Sequence, residues 1–515
     1  MYIDENLKFE DIPSKLESIV KSMDDETLKK FRWFQEKAYT ILEKYLFDYA
    51  ILLQYEAKII IAAIIAFVVK DPNTKKESTS LYYLPLIITK YLTNNDLISI
   101  IEGLNFKAFV YDGVDDIEYV KLLNKILREE GRIPFKSDAK LIAVRLKQED
   151  IYKSRRLSNK SSNSLTFLQK DEIIKTYRKL VKGINPDLEM TLELRRMGFE
   201  NVQDIRGYFL YQDKEGKKHT VAIVVEYIKN MGDMWQYTQD YLASLISRLS
   251  GCEDIDEGYV KSYCSDYIEE VKNIAGIIAD MHIKLSQIDE EDFGKRDANT
   301  SDIQDLLKSI RSNFYRLLSF MKSGNFEEPI DSMIKEIVLQ QDFLTAKLQE
   351  FENSSVFGKY MRCHGDLHLE QILKTENGYV IIDFEGEPTK PIEIRKKKIS
   401  PLKDVAGMVR SFSYAACAAY FNYLQQSGTL ENERIERLLS FWAEVVTQNF
   451  IESYVNLVRK EAPDIIPEDE SFDAALALFK LDKALFEGLY EVNNRPLWFK
   501  IPLKGILECI KDLKF

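Results

Sequence analysis

The chain has 515 residues, an apolar fraction of 45% and a formal net charge of −12. That length accommodates two or three domains with a large core. The acidic balance excludes a broadly basic nucleic-acid or anionic-membrane surface, while a local basic groove for phosphates stays open. Five cysteines without a Cys-x-x-Cys pair read as free thiols of a reducing compartment. The charged start, MYIDENLKFEDIP, lacks an apolar signal core, so the expectation is a cytoplasmic protein.

Taken in chain order, residues 13–50 carry helical periodicity with aromatic and leucine positions. Residues 51–113 read as strands, at 51–69, 81–89 and 106–111. The run at 59–69 (IIIAAIIAFVV) is 11 residues long, too short for a membrane helix. It predicts a buried strand, followed by a turn at Asp71-Pro72-Asn73. A helix is expected near 115–130, then short strands at 139–146, 165–168, 172–177, 204–212 and 220–228. Between them, Asn185 as cap and Pro186 as first residue open a helix over 186–197. Beyond about 233 the pattern is helical, broken only at 360–383 by a short strand, a loop and a hairpin. The partition expected is 1–113, 114–230 and 231–515, without an internal repeat.

The most informative stretch is 363–388, CHGDLHLEQILKTENGYVIIDFEGEP. It sets out His364-Gly365-Asp366, then Gln371 five residues after that Asp, then Asp383 at the end of an apolar run. Phosphoryl transfer needs that order: a base for the attacking hydroxyl, then two oxygen ligands for Mg²⁺ on the nucleotide. Asp366 is therefore the candidate base, and Gln371 and Asp383 are the candidate metal ligands. A bland reading of Asp366 alone is a loop-capping Asp after a glycine.

A strand lysine and a helix acid belong to the same chemistry. Lys175 lies in EIIKTY, and Glu189 follows 14 residues later on the helix opened by Asn185-Pro186. Two ordinary surface charges are the alternative in a chain that is 30% charged. Ser162, Asn163 and Ser164 precede the lysine strand, where a phosphate-covering loop belongs; no GxGxxG is present, and a linker fits the same residues. Glu226 and Ile228, where the strand at 220–228 leads into a hinge, are candidate adenine contacts from position alone.

Several segments together carry a resemblance: RWFQEK (32–37), YYLPL (82–86), the serines at 162–164, GINPDLE (183–189) and GDMWQYT (232–238). HGDLHLEQ (364–371), DFEGEP (383–388), SPLKDVAGMVRS (400–411) and YEVNNRPLWFKIP (490–502) complete the set. The chain resembles the maltokinase family, a branch of the aminoglycoside-phosphotransferase and choline-kinase-like superfamily. It is less similar to glucosamine kinases, which tend to lack the DFEGEP form. The resemblance implies an α+β, bilobal protein-kinase-like fold: a sheet-containing N-lobe with an N-terminal cap subdomain, and a helical C-lobe. It implies ATP- and Mg²⁺-dependent transfer of the γ-phosphate to maltose, giving maltose 1-phosphate. A functional link to a trehalose synthase in glycogen and trehalose metabolism goes with it; oligomeric state is not legible.

Candidate sugar contacts are the polar and aromatic residues of the matching C-terminal motifs: His368, Glu385, Glu387, Arg410, Glu491, Arg495 and Trp498. Arg410 could equally pair with an acid, and Trp498 could be core. By resemblance Asp404 ties down the HGD loop through backbone hydrogen bonds. Asp233 and Trp235 start and pack a helix. Two departures stand out: Glu370 replaces a glycine usual in the family, and extra helical length falls around 285–355. Other acceptors (trehalose, glucose, glucosamine) and a catalytically silent kinase-fold binding protein are the alternatives.

Overall fold

The computed structural model describes residues 2–3, 7–72, 74–103, 106–147, 163–169, 171–249, 256–353, 357–388, 390–429 and 431–514. Ser162 lies outside the described residues. The chain divides into two compact units, Met1–Leu192 with Gln203–Ile228, and Glu193–Val202 with Lys229–Phe515.

The first unit is built on two sheets. One runs in the order Tyr2–Ile3, Leu97–Gly103, Phe106–Asp112, Glu77–Thr89, Lys58–Lys70 and Thr40–Tyr55, with Lys179–Leu180 added on Glu77–Thr89. The other orders Arg132–Pro134, Lys140–Arg145, Ile205–Gln212, Lys218–Glu226, Glu172–Thr176 and Ser164–Gln169. Strand Lys58–Lys70 explains its own unbroken apolar run. Ile59, Ile61, Ala63, Ile65 and Phe67 face a core shared with Leu16, Ile19, Trp33 and Phe34. Ile60, Ala62 and Ile64 face the opposite core, with Tyr119, Leu123 and Leu141. A strand covered on both faces has no polar alternation to show.

The helical reading of 13–50 is corrected. A 3-10 turn ending at Lys15 and the α-helices Leu16–Ser22 and Asp25–Lys30 cover its start, and Thr40–Tyr55 is a strand. It pairs antiparallel along its length with Lys58–Lys70, so a ready partner across the turn at Glu56-Ala57 overrides local preference. The run at 51–69 is accordingly the end of one strand and nearly all of the next, and Leu97–Gly103 is a further strand. The helix Ile117–Arg128 begins where Asp116 caps the amides of Glu118 and Tyr119. The helix Pro186–Arg196 begins where Asn185 accepts the Asp187 N–H at 2.9 Å.

The second unit is helical, with Met234–Leu249, Ser265–Ser286, Leu402–Ser427, Glu433–Glu461, Asp469–Asn494 and Lys500–Asp512 as its frame. Asp233 accepts the Gln236 N–H and starts the first of these. Helices Thr300–Ser323, Ile330–Leu339 and Gln341–Glu350 fall within the region 285–355. The predicted break holds a short strand, Lys359–Tyr360, then a loop and the hairpin Ile372–Thr375/Gly378–Ile381. Segment Glu193–Val202 belongs to this unit because Asn201 brackets the hairpin: its amide donates to the Tyr379 carbonyl, and its own carbonyl accepts the Ile381 N–H, both at 2.8 Å. No helix among the described residues is long and apolar enough to cross a membrane.

Within the six-stranded sheet, Arg145 and Glu172 form a buried bidentate pair, with N–O distances of 3.0 and 2.6 Å. Removing one charge strands the other in a dry setting. Glu172→Gln is expected to cost about 3 kcal/mol, read as an earlier denaturant midpoint; an unchanged midpoint would show the pair contributes nothing.

Candidate active site

The loop His364-Gly365-Asp366 is held from below by one carboxylate. Asp404, fully buried on helix Leu402–Ser427, accepts the N–H of His364 at 2.9 Å and of Gly365 at 2.8 Å. Buried His282 donates from Nε2 to the same carboxylate at 3.1 Å, and its Nδ1 accepts the Tyr454 hydroxyl at 2.8 Å. Burial pushes Asp404 upward, but the hydrogen bond from His282, the neighbouring imidazoles and the Gly365 N–H outweigh it, and its pKa lies below the ordinary value. Cys363 joins this cluster with a thiol raised by burial; protonated, it donates weakly to the carbonyls of Met361 and Ile399.

Two glycines make the approach feasible. Gly365 has φ +83°, a conformation an L side chain rarely adopts. Gly407 lies under the loop, where a Cβ would meet the Leu367 carbonyl at 2.4 Å. The loop is also tied to the hairpin. His364 Nε2 donates to the Ile382 carbonyl at 3.0 Å, which leaves Nδ1 as the acceptor facing the Asp366 N–H.

Asp366 meets Lys483 of helix Asp469–Asn494, Nζ to Oδ1 at 2.9 Å. Burial works against ionisation of Asp366, but the charge of Lys483 leads a set of stronger opposing effects, and the carboxyl is held far below its usual range. Lys483 is raised in turn by Asp366 and Glu487 against the effect of burial. His368 is pushed down to about 4, chiefly by burial, so it is neutral near pH 7. Gln371 stands on the short turn Leu369–Gln371, and its amide lies 3.4 Å from Asp383 Oδ2 and 3.4 Å from His368 Nε2. Asp383, just past the hairpin, takes φ +68°. The two oxygen-bearing side chains read as metal ligands are thus neighbours, and their donors suit a hard cation. Glu370, on the same turn, points to an exposed surface.

The other expected sugar contacts separate into groups. Glu387 pairs with Lys390 at 2.7 Å, and buried Glu385 has Arg395 at 3.8 Å. Glu491 accepts from Arg495 at 2.6 Å and from the Tyr414 hydroxyl at 3.3 Å, and Arg495 lies 4.5 Å above the half-buried Trp498 ring. Arg410 makes the ion pair with a helix acid that was the other reading of it. It is 2% exposed, donates twice to Glu487, and sits so close to Gly505 that a Cβ there would meet Nη1 at 2.0 Å.

In the first unit, Lys175 donates to Asp187 Oδ2 at 2.7 Å, and the Tyr177 hydroxyl shares that oxygen at 2.9 Å. Asp187 is therefore a partner that the strand-lysine argument, which named Glu189, did not reach; both acids stand on the same helix. Ser164 accepts from Arg178 Nε at 2.9 Å, which engages its hydroxyl in the unit's own packing. The Glu226 N–H donates to Asp204 and its carbonyl accepts from Gln203, so the backbone there is already used as the sheet ends. Ile228 closes this unit. Lys483 has a sequence signal after all: with Glu487 and Glu491 it recurs every four residues along one helix.

No family model matches the chain. Over 141 residues it is 28% identical to a glucosamine kinase of Mycolicibacterium smegmatis, a stretch covering 27% of this chain and 32% of that protein. Over 150 residues it is 26% identical to a glucosamine kinase of Streptacidiphilus jiangxiensis, covering 29% and 31%. The matched region thus spans about a third of the length of these curated relatives. The solved structure of glucosamine kinase with glucosamine, ADP and inorganic phosphate aligns with a TM-score of 0.63 at 15% identity, covering 96% of this chain and 98% of that one. A second crystal form gives 0.64, 96% and 99%. The fold is the kinase-like α+β fold of glucosamine kinase. At this identity the structural likeness speaks for fold, and the catalytic assignments rest on the geometry above.

The Asp404 contribution to stability has a defined sign. Its folded pKa is lowered, so the ionised form favours folding; the gain is complete above the unfolded value near 4 and is lost as pH falls through the lowered folded value. Asp404→Asn is expected to lower the unfolding midpoint, with a gap to wild type that narrows from pH 7 to pH 3. A gap constant with pH would contradict the ionised assignment.

Proposed function

We propose that the chain is an ATP-dependent phosphotransferase acting on a sugar hydroxyl. The observation that carries the reading is the constellation of one held loop: Asp366 against Lys483, with Gln371 and Asp383 side by side. Asp366, kept ionised, accepts a hydrogen bond from the acceptor hydroxyl and holds its oxygen in line for attack. A carboxylate of such low basicity takes the proton late, which suits a loose transition state. Lys483 positions Asp366 and preserves its charge. Gln371 and Asp383 would hold Mg²⁺ through oxygen; when bound, the ion supplies charge neutralisation on the nucleotide phosphates. Lys175, fixed by Asp187, supplies a cation for phosphate oxygens. Neutral His368 borders Gln371 and is available to a sugar hydroxyl.

For the acceptor, glucosamine is the first reading, because the matched relatives and the aligned structures are glucosamine kinases. Maltose is the second, on the DFEGEP and SPLKDVAGMVRS motifs. ATP-dependent turnover of a panel holding glucosamine, maltose, trehalose and glucose separates the two. Asp366→Asn is expected to lower kcat about 10³-fold on whichever acceptor is used; equal turnover would remove Asp366 from the mechanism.

Lys483 allows a second measurement. Its charge holds Asp366 down, so Lys483→Met is expected to move the acid limb of the kcat/KM profile to higher pH. An acid limb that stays in place in an active variant would assign Lys483 to packing alone.

A further inference from the structure

A cavity of about 300 Å³ inside the first unit, apart from the residues given roles above except Asn163 and Ser164, holds two buried donors that no group among the described residues satisfies. Arg178 is 1% exposed; its Nε donates to Ser164 and its Nη2 to both oxygens of Asp112. Its Nη1 meets no acceptor among the described residues, and neither does the buried Nε1 of Trp33. Both side chains line the cavity. They are stacked on each other, the guanidinium 5.5 Å from the Trp33 ring, and Phe31 stacks beside Trp33 at 5.3 Å. Buried N–H groups without acceptors are rare and costly, so two in one cavity call for an oxygen between them.

The charge around the cavity narrows what brings that oxygen. Lys30, Arg32 and Arg178 are balanced by Asp96, Asp112 and Asp115. A phosphate or carboxylate would gain from the first three and be repelled by the others, and a cation would meet the reverse. A neutral ligand with both donors and acceptors suits such a lining. Side-chain amides of Asn95 and Asn163 add two-way hydrogen bonding, and the aromatic pair offers a flat apolar wall.

We propose that this cavity binds a neutral monosaccharide unit. Arg178 Nη1 and Trp33 Nε1 donate to its hydroxyl oxygens, the carboxylates accept from its hydroxyls, and the Phe31–Trp33 wall covers a C–H face. The proposal stands independently of the phosphotransfer reading.

The test uses the full chain as the Asp366→Asn variant labelled with 5-fluorotryptophan. Its 4 tryptophans are assigned in the ¹⁹F spectrum through Trp33→Phe, or by elimination through Trp235→Phe, Trp442→Phe and Trp498→Phe. Titration with glucose is expected to shift the Trp33 resonance saturably, while orthophosphate at matched ionic strength leaves it in place. Phe31→Ala is expected to weaken the glucose affinity read at Trp33 by about tenfold. No glucose-dependent shift at Trp33 overturns the proposal and leaves the two donors to water; an equal shift with orthophosphate overturns it in favour of an anion site. The resonance reports on Trp33 alone, so a failed kinase assay and a failed titration are distinguishable.

Discussion

The second unit's chemistry depends on a single buried carboxylate. Asp404 accepts two successive backbone N–H groups, of His364 and Gly365, and the loop cannot take another course without leaving those amides or that charge unpartnered. Its own ionisation is secured by His282, which is in turn oriented by Tyr454. A charge in a dry interior is tolerated when every lone pair has a use. Asp366 inherits its position from this arrangement, and its distance to Lys483 follows.

Helix Asp469–Asn494 supplies the electrostatics that the loop lacks. Lys483, Glu487 and Glu491 share one face at four-residue spacing and meet Asp366, Arg410 and Arg495 in turn. Each acid or base on that face has an opposite charge before it, so none raises the cost of the next. Arg410 shows how little residue type alone says about partners. An arginine in a motif near a site could face many groups; here it is buried against Gly505 and donates to Glu487.

Much of the architecture was legible. The helix start at Asn185-Pro186, the hairpin before Asp383 and the long helices beyond residue 233 all follow from local chemistry that reads the same in any context. Thr40–Tyr55 was not legible, because its leucines and aromatics fit a helix as well as a strand, and only the long pairing with Lys58–Lys70 chooses. Asp187 was missed for a similar reason: a strand lysine argues for an acid on the next helix, but which turn of that helix reaches it is a matter of packing.

By itself the sequence determined the chemistry on offer: an HGD loop, an amide five residues on and an Asp ending an apolar run, and a continuous apolar strand that must be covered on both sides. These are properties of neighbours in the chain, so spacing reveals them. Tertiary structure alone decided the charges. That Asp366 is held ionised by Lys483, 117 positions away, that Asp404 anchors the loop from beneath, and that Arg410 pairs with Glu487 all depend on contacts between distant segments. A side chain's protonation and role are set by what surrounds it in space, and no local pattern encodes that.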